Sequence, residues 1–223
     1  MNFNFLQLVP LFPLFYLVFA SIIYSILVYY LIVGFNDSKL KMVLWISVAI
    51  RLVYPLFLSV AQYYIFASDA LTKQMLNSPI SEKLSLPFFM QPFSQLFKGH
   101  LGYFFYYSWG RFVLGAVLAI LCASVFYVFL KLLEKYNNRF FKEGETKVGF
   151  IVSLLVGWPW FVVLIPTTFI VTILTSIVKK IFFKEAYTTL GMPILISGII
   201  LTITTYFFSP LLFGALDLLV LKV

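Results

Sequence analysis

The side chains able to do chemistry in this chain are few and widely spaced. Arg51 is the sharpest of them. It stands about eight residues, or ~12 Å, inside an apolar run that begins at Val43. A cation at that depth in a bilayer costs ~2.5–3.5 kcal/mol even on the lenient insertion scale. Ser47, Tyr54 and Gln62 recur near its helix face at roughly one-turn multiples, giving a weak polar stripe. Two readings follow. Arg51 lines an ion or proton path, or holds an anionic lipid or substrate. Alternatively it is a structural charge that snorkels or pairs with a partner's carboxylate. Asp217 is the only acid inside an apolar stretch. It either pairs with Arg51 or ends the last helix at the interface, since only six residues follow it.

The remaining chemistry is thin. The chain has one histidine, His100, and one cysteine, Cys122. An internal disulfide, a multi-cysteine metal site and a bis-histidine haem are therefore excluded within the chain. No His/Cys/Asp/Glu cluster has metal-ligand spacing, and no glycine-rich phosphate loop or GxSxG elbow is present. There is no pair of intramembrane acids for acid–base work. The expectation is a chain with no catalytic set, no cofactor and no metal, and hence not an enzyme.

The elements that carry these residues are unusually plain. Of 223 residues, 62% are hydrophobic, 20% aromatic and only 11% charged. Mean hydropathy is +1.02. Soluble domains carry about 25% charged residues, so no sizeable soluble domain fits. Apolar stretches lie at about 8–34, 43–67, 111–131, 149–178 and 193–221. Runs of this length predict membrane-spanning helices. The fold class expected is all-α: a polytopic integral membrane protein of about five transmembrane helices, forming one membrane domain over 1–223. The N-terminus lacks a basic region before its apolar run, so 8–34 reads as a retained first span and not a cleaved signal.

Between the second and third spans, segment 86–110 is apolar but broken by Pro87 and Pro92, then strongly aromatic from Tyr103 to Trp109. Tyrosine and tryptophan concentrate at the membrane–water boundary. Tyr106, Tyr107 and Trp109, with Arg111 snorkelling beside them, are expected to anchor a segment lying along the surface. The third span then carries Gly115, Ala119 and Ala123 at four-residue spacing, on one helix face. Small residues there predict close helix–helix contact. Loop 132–147 is the most charged part of the chain and reads as solvated.

The stretch 149–178 is the exception among the five. At thirty residues a helix would run ~45 Å, against ~30 Å of hydrocarbon. It also contains Gly157, Pro159 and Pro166. A long kinked span and a re-entrant hairpin that returns to the same face both fit. The flanking charges bear on the choice. With five full spans, basic residues divide eight against seven between the two sides. With a hairpin they divide ten against five, which the positive-inside rule prefers.

Net charge is +8, but the basic residues lie in loops and helix ends, where they meet anionic headgroups. No nucleic-acid arm is evident. The expected partners are other membrane protein subunits and phospholipids, with no nucleic acid. Lysine outnumbers arginine 13 to 3, which hints at an AT-rich genome and so at a bacterial or organellar inner membrane. Missing chemistry and a packing face together suggest a non-catalytic subunit that scaffolds or anchors a larger membrane complex. The alternative is a transport or channel component with a path lined by Arg51 and the broken helix 149–178.

Overall fold

Long apolar runs without turn residues leave the backbone one way to satisfy its own N–H and C=O groups, the helix. A computed structural model of the chain describes residues 12–34, 36–68, 70–80, 91, 94–137, 139, 141–184 and 188–215. Among these residues the protein is all-helical, with no strand. The helices are α1 (Phe12–Val33), α2 (Asp37–Ser68), α3 (Ala70–Leu76), α4 (Ser94–Lys98), α5 (Gly102–Ser108), α6 (Leu114–Tyr136), α7 (Glu145–Val156), α8 (Phe161–Val178) and α9 (Gly191–Ala215). A π-helical turn, Trp109–Val113, links α5 to α6, and a second, Lys179–Phe183, extends α8.

Among the described residues four helices are long and apolar enough to cross a membrane: Phe12–Val33, Asp37–Ser68, Gly102–Tyr136 and Phe161–Phe182. Local chemistry sets their ends. Gly34, at φ +111°, closes α1 with its N–H on the Tyr30 carbonyl. The Asn36 side chain accepts the Lys39 N–H, and Asp37 places a negative charge in the first turn of α2. That cap starts α2 six residues before the apolar run at 43.

Two sequence expectations change here. The aromatic segment is not a separate surface element from residue 102 onward. It is the first part of a continuous 35-residue helix, Gly102–Tyr136, running ~53 Å. Gly110 does not break it, because the π turn absorbs the extra residue. Residues 86–90, 92 and 93 of that expected segment lie outside the described residues. The stretch 149–178 is not one helix. It stops at Val156 and restarts at Phe161. Of the expected fifth span, 193–221, residues up to 215 form α9; the last eight residues of the chain lie outside the described ones.

Contacts divide the chain into two compact units. One is built on residues 52–115. Its core joins Phe66, Leu76 and Phe104, with Phe104 edge-on to Tyr63 and Phe66. The other is built on residues 13–51 and from 116 onward, around Leu27, Leu40, Val148, Ile151, Leu164, Ile194 and Leu195.

The direction of the helices in this second unit can be read from their contacts. Gly191 faces Glu145, Ile194 faces Gly149, and Gly198 faces Val152. The register advances together, so α7 and α9 are parallel. Gly149 also faces Leu130 and Phe126 of α6, which reaches α7 through residues 137–144. A helix joined by so short a loop returns antiparallel. α8 must fold back as well. The Thr189 hydroxyl bonds Glu145 at the start of α7, and only five steps of chain, at most ~18 Å, separate it from Lys184. Had α8 run on in line with α7, its end would lie about 50 Å from Glu145. The chain 145–183 is therefore a helical hairpin turning at residues 157–160.

Candidate functional site

Against the turn of that hairpin lies the guanidinium of Arg51, carried on α2. Gly157 ends α7 at φ +70° and ψ 178°, a conformation essentially reserved for glycine. Its carbonyl then accepts the Phe161 N–H at 2.8 Å, and Pro159 and Trp160 carbonyls accept the next N–H groups, so α8 starts fully bonded. The Trp158–Pro159 peptide is cis. Pro166, by contrast, does not break the chain. It sits on an exposed face inside α8, with the Thr167 hydroxyl donating to the Val163 carbonyl beside it.

Arg51 lies 14 residues after Asp37 on α2, ~21 Å from the start of that helix. Its Nη1 donates to the Tyr16 hydroxyl at 3.2 Å, and its Cζ stands 5.9 Å from the centre of the Tyr16 ring. The Tyr16 hydroxyl in turn donates a hydrogen bond to the Leu155 carbonyl at 2.6 Å. The guanidinium also lies directly against Gly157: a methyl group there would overlap Cζ and Nη2. Leu155 belongs to the last turn of α7, whose carbonyls form the negative end of the helix dipole. The cation is thus set at a helix C-terminus, with an aromatic face and a hydroxyl as its other neighbours. Nε is buried with no acceptor. Among the described residues, no carboxylate pairs with Arg51.

A second polar site lies at the other end of α7. Glu145 is 1% exposed. Its Oε1 accepts the Thr189 hydroxyl at 2.8 Å, and its Oε2 accepts the Gly191 and Lys142 N–H groups, both at 3.1 Å. The carboxylate closes the approach to α7 and pins the segment that leads into α9. It sits at the N-terminal, positive end of α7. Near it, Asp37 pairs with Lys41 at 2.7 Å and with Lys147. The loop read as solvated therefore holds one of the most buried carboxylates of the unit.

Of the residues singled out in the sequence, the structure brings together Arg51 and Gly157. Asp217 lies outside the described residues. Ala119 and Ala123 are buried, at 1% and 0%, along with Ala116, whereas Gly115 has nothing within 4 Å of its Cβ position. Tyr106 and Tyr107 are half-buried, Arg111 is exposed, and the Trp109 indole N–H is buried without a partner. Sequence reasoning missed Tyr16, the Leu155 carbonyl, Glu145, Thr189 and Gly191. Tyr16 had one weak signal, a polar tip within an apolar run that also holds Ser21, Tyr24 and Ser25. Among the described residues no group of three or more His, Cys, Asp or Glu side chains is placed to hold a metal. The chain matches no protein family, no curated protein and no solved structure.

Proposed function

We propose that this protein is a non-catalytic multi-pass subunit that scaffolds or anchors a larger complex in a bacterial or organellar inner membrane. The observation that carries the reading is how Arg51, half-buried, and Glu145, buried, are used. Arg51 joins α1, α2 and the hairpin turn; Glu145 joins α7 to the start of α9. Both are spent on connecting helices, as expected of an architectural protein. Around them, long faces of α1, α2, α6 and α8 expose large apolar side chains, such as Ile32, Trp45, Val125 and Phe169. Such faces suit lipid and neighbouring helices.

The hairpin supports an orientation. With α7 entering and α8 returning, ten basic residues gather at one end: Lys39, Lys41, five from Lys131 to Lys147, and Lys179, Lys180 and Lys184. By the positive-inside rule that end faces the cytoplasm or its organellar equivalent, against anionic headgroups. α7, at 12 residues and ~18 Å, is too short to cross and is read as the re-entrant arm. Isolation from native membranes in mild detergent tests the role. Defined membrane partners should remain bound; a functional monomer without partners would sink the proposal.

One observation favours a second reading, a transport or channel component. A helix broken within the membrane, with its C-terminal carbonyls meeting a charge, is how many transporters build an ion site. Reconstituted flux that falls on Arg51→Ala would support it. No flux, or flux indifferent to Arg51, would count against it.

A further inference from the structure

We propose that the groove between α1 and α9 is a binding site for a lipid-soluble molecule that carries a carbonyl oxygen. Its wall holds Tyr24 and Thr202, whose hydroxyl oxygens stand 2.8 Å apart and are both buried. Two hydroxyls bring two protons, and the bond between them uses one. If Tyr24 donates to Thr202, the Thr202 proton is left over; if Thr202 donates, the Tyr24 proton is. Among the described residues neither hydroxyl has a second acceptor. Elsewhere on α9, Ser197, Thr204 and Thr205 donate to the carbonyl one turn back, the local outlet for a hydroxyl in an apolar helix. Thr202 is turned to α1 instead. One O–H donor in the wall of the groove is therefore unmatched.

The depth of that donor narrows what can meet it. Tyr24 stands ~18 Å into a helix that runs ~33 Å, near the middle of the span. Hydrocarbon supplies no water there, and an unmatched donor costs free energy that a ligand oxygen would recover. The groove measures about 390 Å³, within the ~300–1,000 Å³ of small-molecule sites. Leu17, Val28 and Ile199 make it apolar, and the exposed Ser21 and Ser25 open it sideways to lipid. Both serine protons are already given to carbonyls of α1. A ligand hydroxyl would bring a further proton to satisfy, whereas a carbonyl brings none. Phospholipid ester carbonyls stay ~15 Å from the bilayer centre, at the edge of the hydrocarbon. The ligand is thus a molecule dissolved in the hydrocarbon itself, a long-chain ketone or a quinone by class. The proposal needs the membrane placement of α1 but not the scaffold role.

The test uses the full chain in phosphatidylcholine vesicles. The probes are a long-chain ketone with its carbonyl at mid-chain and the matching alkane, each bearing the same terminal diazirine. Attachment on illumination is mapped by mass spectrometry. The ketone should label α1 and α9 about fivefold more than the alkane, the range of one polar contact inside a membrane. Tyr24→Phe combined with Thr202→Val removes both hydroxyls at nearly constant shape, a change close to neutral for folding, and should bring that ratio to one. Ser21→Phe fills the groove and should abolish attachment of both probes there. Equal labelling by the two probes on the unaltered chain would mean a groove for acyl chains only and overturns the proposal. So does a ketone preference that survives the double change, or labelling of α1 and α9 undiminished by Ser21→Phe. The comparison of the two probes on the unaltered chain depends on no variant folding.

Discussion

At the scale of single residues, Arg51, Tyr16 and Gly157 form a unit whose members depend on one another. Tyr16→Phe keeps the ring against the guanidinium but removes the acceptor of Nη1 and the donor to Leu155. A loss of about 1 kcal/mol is expected, within the range of polar contacts between membrane helices. Thermal unfolding in detergent would register it, and an unchanged midpoint would refute the bonding pattern. Gly157→Ala is more severe, because it combines a glycine-only backbone with overlap on the guanidinium. About 2–4 kcal/mol is expected from strain and overpacking together. The two parts separate in a double-mutant cycle. Arg51→Ala removes the overlap but not the strain, so the pair should cost less than the sum of the single changes.

At the scale of elements, the hairpin depends on how its ends are held. α7 is short and would be marginal alone, yet its residues are among the most buried in the protein. Gly149 admits Leu130 of α6 against its backbone, where any side chain would have to displace that leucine. This close contact was not foreseen from the small-residue spacing of the third span. Glu145 fixes the other end through three donors from two separate segments. Glu145→Ala should cost about 3 kcal/mol, since it leaves buried N–H groups without the charged acceptor they bond. Glu145→Gln keeps the size but turns one acceptor into a donor facing backbone N–H. It should recover only part of the loss. If Glu145→Gln unfolds at the same temperature as the unaltered protein, the carboxylate is not the latch described here.

At the scale of the whole molecule, the question is which ends share a side. The hairpin predicts that residues 137–144 and the segment after α8 face one compartment, whereas five full spans would separate them. With Cys122→Ala as background, Lys142→Cys and Lys184→Cys should both react with an impermeant maleimide from the same side of sealed vesicles. Labelling from opposite sides would refute the re-entrant reading and return the charge distribution to near balance. On the proposed topology the hairpin adds Lys179, Lys180 and Lys184 to seven basic residues at the same end, and each would favour an anionic leaflet by about 1 kcal/mol.

The sequence alone determined the all-helical class, the position of most helices and the isolation of Arg51. These are local properties. An apolar run in lipid has no backbone partner but itself, and glycine, proline and capping residues mark its ends wherever they fall. The same local signals flagged 149–178 as too long and offered Gly157, Pro159 and Pro166 as its break without choosing among them; Pro166 lies inside α8. They were silent on the direction α8 takes after the break, because a proline and a glycine stop a helix without aiming the next one. That direction follows from Thr189 and Gly191 meeting Glu145, 44 and 46 residues away. The surroundings of Arg51 follow in the same way from Tyr16 reaching Leu155 across 139 residues. Spacing along the chain does not encode such contacts. They are set when several helix faces pack at once, and so only the tertiary structure decided what Arg51 and Glu145 hold.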